Sequence, residues 1–188
     1  STGGANWESS ALDPETGILY VPSRTQLQVL SLAKNPESDI DLSQGFGVRA
    51  PRVQGLEIVK PPYGRVTAID MNSGDHLWWI ANADTPDRIK NHPLLEGVDL
   101  PRTGIPTRAG VLLTKTMLFV AEGTGGAGAS PIFRAVDKTT GDIIAELDLP
   151  QNQTGHPFTY EYDGVQYVAL FVGGGGAAAE LVAFALPE

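Results

Sequence analysis

Among the residues that could bring main chain and side chain against a flat ligand, the run Thr2-Gly3-Gly4-Ala5-Asn6-Trp7 comes first. Two glycines let the backbone approach closely, and Asn followed by Trp offers an amide beside a flat apolar face. Taken alone, the run also suits a strand entry packed on a neighbouring sheet. Gly123-Thr124-Gly125-Gly126-Ala127-Gly128 satisfies G-x-G-x-x-G. A dinucleotide fingerprint needs a helix after it, whereas Pro131 and the β-like Ile132-Phe133-Arg134-Ala135-Val136 follow, so a loop between strands is expected. His76, His92 and His156 have no partner at metal-ligand spacing. Of the three, His156 at an expected strand start is best placed to meet a ligand. Asp39 and Asp41 lack the glycine and third oxygen of a calcium loop and read as a solvated stretch.

The elements that must position these residues announce themselves through a repeat. Ala11-Leu12-Asp13-Pro14-Glu15-Thr16-Gly17, Ala68-Ile69-Asp70-Met71-Asn72-Ser73-Gly74 and Ala135-Val136-Asp137-Lys138-Thr139-Thr140-Gly141 all match A-[LIV]-D-x-x-[ST]-G. Strand-like residues precede each copy and apolar residues follow, which predicts hairpin turns. The Asp accepts backbone N–H groups and the Gly supplies a positive φ. Asp13, Asp70 and Asp137 are therefore expected as turn caps rather than as a carboxylate pair for acid–base work.

About eleven short strands follow from the same reading: 9–13, 18–22, 65–70, 76–81, 110–113, 117–121, 132–137, 143–147, 158–162, 166–172 and 180–186. The ambiguous stretch 25–32 leans towards strand because its apolar residues alternate. Residues 168–186 are apolar enough to suggest a membrane span, but Gly173 to Gly176 and Glu180 make two strands around a glycine turn the better reading. Grouping by fours predicts an all-β fold, a partial β-propeller of about two and three-quarter four-stranded antiparallel blades. The expected divisions of this single 1–188 fragment are a blade over 1–81 with an insertion at 23–64, a connection at 82–108, a blade at 109–148 and an incomplete blade at 156–188.

Composition narrows the class. Gly 22 and Pro 14 argue against a helical bundle. A net charge of −9 argues against nucleic acid or an anionic membrane surface as partner. The absence of cysteine removes disulfides, iron–sulfur clusters and thiol nucleophiles together.

Ala68-x-Asp70-x-x-Ser73-Gly74-Asp75-x-x-Trp78 resembles the tryptophan-docking motif of quinoproteins, in which a Trp on an outer strand packs against the next blade. The third copy keeps Ala135, Asp137, Thr140, Gly141 and Asp142 but has Ala145 where Trp is expected, which implies a weakened docking girdle. The ordered segments Gly3-Gly4-Ala5-Asn6-Trp7, 64–70, 133–137, 157–160, 166–168 and 183–187 resemble the C-terminal part of PQQ-dependent dehydrogenases, most of all the quinoprotein glucose dehydrogenase group.

That resemblance implies an eight-bladed propeller holding pyrroloquinoline quinone (PQQ) near its axis, with a divalent cation, usually calcium, beside it. It implies Asn6 as a cofactor contact, Trp7 as its packing support and Gly4 as part of the close approach. It places the catalytic Asp and the metal ligands before Ser1, so that the chain alone is expected to be inactive. No catalytic residue and no metal ligand is expected within it. A sugar or alcohol would be the substrate of the complete enzyme, and the periplasm its location, with any membrane contact made by other segments. Open blade faces would pair with the rest of the propeller or with a second copy. A noncatalytic propeller scaffold that binds protein partners is the alternative.

Overall fold

A computed structural model describes residues 4–5, 10–45, 50–123 and 129–185. The chain opens with β1 (Ala11–Asp13) and β2 (Ile18–Arg24), then an insertion carrying two small hairpins, β3 (Leu32–Ala33) with β4 (Ser43–Gln44) and β5 (Arg52–Val53) with β6 (Leu56–Glu57). It returns through β7 (Gly64–Asp70) and β8 (His76–Ala81), completing a four-stranded antiparallel sheet of order β1-β2-β7-β8. A connection with one helical turn, α1 (Asp87–Lys90), leads to β9 (Val111–Leu113), β10 (Met117–Ala121), β11 (Ile132–Asp137) and β12 (Ile143–Asp148), the second sheet. A third sheet holds β13 (Phe158–Tyr162), β14 (Val165–Gly174) and β15 (Ala177–Ala185). These are two full blades and a three-stranded one, and they do not close into a ring.

The expected strand at 25–32 does not form. Residues 25–31 are irregular and only Leu32 enters the short β3. Leu27, Val29 and Leu30 are exposed, so alternation there has no sheet face to serve. The apolar stretch at 168–186 does split into β14 and β15 around Gly175 and Gly176, both at positive φ. No helix among the described residues is long and apolar enough to cross a membrane.

The three repeated turns share one construction. Gly17, Gly74 and Gly141 sit at φ of 72, 81 and 83°. Their N–H groups donate to the carbonyls of Asp13, Asp70 and Asp137 at 2.8, 2.7 and 2.9 Å. The Asp13, Asp70 and Asp137 carboxylates accept from the backbone N–H of Glu15, Asn72 and Thr139. Their places in the fold differ, however: the first turn joins β1 to β2, while the other two join the third and fourth strands of their sheets.

Two cores stack the sheets, each buried aliphatic side chain contributing about 1.5–3 kcal/mol. Tyr20, Val66 and Ala68 of the first sheet pack on Val111, Leu118, Val120 and Val136 of the second. On the opposite face of the second sheet, Ala121 and Phe133 meet Leu170 and Val172 of the third, with Phe133 stacked between Phe119 and Phe184. The middle sheet is thus covered on both sides. The outer face of the first sheet leaves Leu12, Leu77 and Trp79 about half exposed, and the outer face of the third leaves Phe158, Tyr160, Phe171 and Leu181 in solvent.

Trp78 docks between blades as its motif predicts. Its ring rests on Gly141, where an added Cβ would collide with it, and its indole N–H donates to the Lys138 carbonyl at 3.2 Å. Tyr20, 5.8 Å from Trp78 between ring centroids, donates to the same carbonyl. The Lys138 ammonium then reaches back 2.6 Å to the Asp13 carboxylate, locking the two blades at their turn end.

That hydrogen bond holds the Asp13 carboxyl below its ordinary 3.8, against the upward push of burial. A carboxyl depressed in the folded state adds stability that is complete above the unfolded value and disappears as pH falls through the folded one. Lys138→Met is therefore expected to be less stable than wild type in urea at neutral pH, with the difference shrinking below about pH 3.8. A difference that stays constant with pH would show that Lys138 acts through packing alone.

Candidate functional site

Antiparallel order sends the end of β2, the start of β7, the end of β8 and the approach to β9 to the same edge of the sheets. Both long loops, 25–63 and 82–110, depart from that edge. Main-chain bonds tie them down: Thr25 N–H to the Tyr63 carbonyl and Tyr63 N–H to the Thr103 carbonyl, each at 2.7 Å, and Ile105 N–H to the Asn82 carbonyl at 2.9 Å. Such contact requires glycine. A Cβ on Gly64 would fall within the Ile105 carbonyl, and one on Gly104, itself at φ 67°, within the Gly64 carbonyl.

A small pocket lies at this edge on the seam between the first two sheets, with Gly4, Arg24, Arg65, Asn82, Thr107 and Arg108 in its lining. The Gly4 carbonyl accepts the Arg24 N–H at 2.8 Å, so this glycine does approach the strand end. Asn6 and Trp7, the other two residues singled out in the sequence, lie outside the described residues.

Three buried side-chain atoms here have no hydrogen-bond partner: Arg24 Nη2, Asn82 Oδ1 and Thr107 Oγ1. Asn82 is 3% exposed and Thr107 6%. Buried polar atoms without partners are expensive, about 1–3 kcal/mol each, and each calls for a partner from outside the protein, an ordered water being the ordinary one. No motif flags Arg24, Asn82 or Thr107. The only hint in the sequence is a cation directly after an apolar strand in an acidic chain.

A second polar constellation lies in the second sheet. Arg134, 1% exposed, donates through Nη2 to Glu122 at 2.7 Å and through Nε to Glu146 at 2.6 Å. Arg102 extends it, bridging Glu146 at 3.8 Å and Asp84 at 2.7 Å. Burial pushes the Glu122 carboxyl above its ordinary 4.5, with Arg134 and the Ser130 N–H pulling the other way. Glu122 follows β10 directly, and Arg134 and Glu146 lie in β11 and β12, so the network ties three neighbouring strands together.

The remaining sequence candidates are structural or apart. His92 accepts from Leu94 N–H through Nδ1, while its Nε2 sits 2.8 Å from the Gln54 carbonyl, clamping the connection to the β5–β6 hairpin. His156 is exposed on the loop before β13, and Asp39 and Asp41 are solvated. In the glycine run only Gly123 is described; 124–128 lie outside the described residues, and strand β11 rather than a helix follows. Asn152 spends its side-chain amide on the carbonyls of Glu122 and Ser130. Among the described residues no group of three or more His, Cys, Asp or Glu could hold a metal ion.

Comparison with known proteins agrees with this geometry. The large subunit of glycerol dehydrogenase from Gluconobacter thailandicus is 30% identical over 99% of this chain and 29% of its own length. Quinoprotein glucose dehydrogenase A from Acinetobacter calcoaceticus is 31% identical over 71% of this chain and 16% of its own length. The crystal structure of quinohemoprotein alcohol dehydrogenase from Comamonas testosteroni superposes with a TM-score of 0.54 at 20% identity, over 91% of this chain and 22% of that one, which speaks for the fold. The chain thus spans less than a third of the length of these relatives. Residues 1–168 match the family described as the glucose/ethanol/alcohol dehydrogenase β-propeller domain, and with two docked blades and a third of the same kind, this chain belongs to that PQQ family.

Proposed function

We propose that this chain forms part of a PQQ-dependent dehydrogenase of a sugar or alcohol, and that it meets the cofactor at the strand end marked by Gly4. The family match over 1–168 carries the reading. The pocket supports it: the arginines in its lining suit the carboxylates of PQQ.

When bound, the quinone supplies a two-electron acceptor. In this reading the residues here would bind and orient: the Arg24 N–H fixes the Gly4 carbonyl, and the family resemblance makes Asn6 a cofactor contact with Trp7 as its support. The catalytic base and the ligands of a calcium ion come from outside these residues, so the chain alone is inactive. A periplasmic location belongs to the same proposal. Glucose is not singled out, since glycerol and glucose dehydrogenases are similar to this chain at 30% and 31% identity.

Titrating the chain with PQQ and calcium, following the quinone absorbance, tests the reading. Saturable binding is expected, weakened about tenfold by Asn6→Ala through the loss of one hydrogen bond to a polar ring. Absence of binding in both would favour a noncatalytic scaffold for protein partners. The exposed apolar faces and the edge of β15, which among the described residues pairs with β14 alone, support association with the rest of a propeller or with a second copy. Sedimentation is expected to show species heavier than 19.9 kDa, and a monodisperse monomer would count against it.

A further inference from the structure

We propose that His92 is a pH-sensitive latch, which joins the two long loops while its ring is neutral and releases their tips when the ring takes up a proton. Local rules build both halves of the contact. In the insertion, Val53 pairs with Leu56 across a two-residue turn, with Gln54 at φ 52° and Gly55 at φ 91°. This leaves the Gln54 carbonyl to the His92 ring, 2.8 Å from Nε2. In the connection, a 3-10 turn over Pro93–Leu95 begins on a proline, which has no N–H. Leu94 therefore carries the first N–H in need of a cap, and His92 Nδ1 accepts it at 3.2 Å.

One imidazole serves both contacts in a single state. Accepting from Leu94 requires a bare Nδ1, and donating to Gln54 requires the hydrogen on Nε2. Histidine is the side chain that changes charge between about pH 5 and 8. A proton added at Nδ1 faces the Leu94 N–H, donor against donor. Because the ring is rigid, turning Nδ1 away from Leu94 also carries Nε2 away from Gln54. The ring is half-buried on a surface loop and exchanges protons with solvent.

The charged neighbours leave this change to His92. The hairpin carries Arg52 and Glu57, α1 carries Asp87, Arg88 and Lys90, and Glu96 follows the turn. Glu57 is held by Arg52 and Arg88 at 2.9 Å each. Burial holds the Tyr63 phenol, near Glu57 and Arg88, above its ordinary 10.0, so it stays neutral. Both nitrogens of His92 are engaged with main chain, so neither pairs with a carboxylate. The Arg88–Glu57 pair and the Tyr63–Thr103 main-chain bond involve no histidine, and release is confined to Gln54 and 92–95. Both loops spring from the edge that carries the pocket, so the latch governs the freedom of the chain leaving that edge. The inference stands on loop geometry and needs no cofactor.

The test uses the 188-residue chain, with ring nitrogen NMR to follow His92 and amide hydrogen exchange, corrected for intrinsic rates, at about pH 8 and about pH 5.5. At the higher pH the His92 ring is expected to carry its hydrogen on Nε2. At the lower pH the protection of the Leu94 N–H is expected to fall about fivefold, the scale of one hydrogen bond. The Ile105 N–H, bonded to the Asn82 carbonyl, is expected to keep its protection. His92→Asn supplies a capping oxygen that does not titrate and should hold Leu94 protected at both pH values. His92→Ala should leave it unprotected at both. A ring with its hydrogen on Nδ1 at the higher pH overturns the latch. So does Leu94 protection that ignores the titration of His92, that falls equally in His92→Asn, or that falls together with Ile105.

Discussion

Arg134→Ala is expected to destabilise the chain by about 3–5 kcal/mol, because it strands the buried Glu122 carboxylate in the sheet without its cation. The guanidinium also bridges to Glu146, so three strand ends loosen together. A urea midpoint that falls with an unchanged slope would report this loss. A pH series separates charge from packing. The Glu122 carboxyl already stands above 4.5 through burial, against Arg134, and removing the arginine lifts it further. A raised folded-state value gives a contribution present below the unfolded value and lost as pH rises through the folded one. The deficit of Arg134→Ala should therefore be largest at neutral pH and narrow on acidification. The double variant Arg134→Met with Glu122→Leu replaces the pair by apolar side chains and is expected to recover most of the loss. If Arg134→Ala unfolds at the wild-type midpoint, the pair contributes nothing.

Gly123→Ala is expected to cost about 3 kcal/mol or more, at the top of the range for overpacking. Its φ is not in the left-handed region, so the cause is space alone. An added Cβ would lie within the carbonyl of Arg108, main chain against main chain, where no rotamer can give way. Gly123 also bridges to Gln153, whose buried amide pairs with both the N–H and the carbonyl of Gly110. Displacing Arg108 therefore disturbs the entry to β9 and the wall of the pocket together. Gly74→Ala is the informative contrast. It places a residue at φ 81° but meets nothing within 4 Å, so only the left-handed penalty of about 1–2 kcal/mol applies. Equal thermal shifts for the two variants would contradict the close-approach account.

The repeats were legible because a turn is a local object. Asp at one place and Gly four residues on fix a carboxylate cap and a positive φ whatever surrounds them, and all three copies adopt that geometry. The strands of the two outer sheets were equally legible, since each of those sheets has one covered and one open face. Residues 25–32 alternate too, yet no sheet arrives to cover them, and the pattern comes to nothing. The docking of Trp78 on Gly141 could be expected from its motif. Its hydrogen bond to Lys138, 60 residues away, and the return of Lys138 to Asp13 could not.

By itself, then, the sequence determined the class of fold, the turns, the order of blades and the Gly-Gly-Ala-Asn-Trp run with its family resemblance. Tertiary structure alone decided that Lys138 returns to Asp13 and that Arg24, Asn82 and Thr107 share one opening. The reason is distance along the chain. A cap or an alternation is written within a few neighbouring residues, whereas a pocket of residues 24, 82 and 107 exists only once antiparallel pairing has brought the four strand ends to one edge.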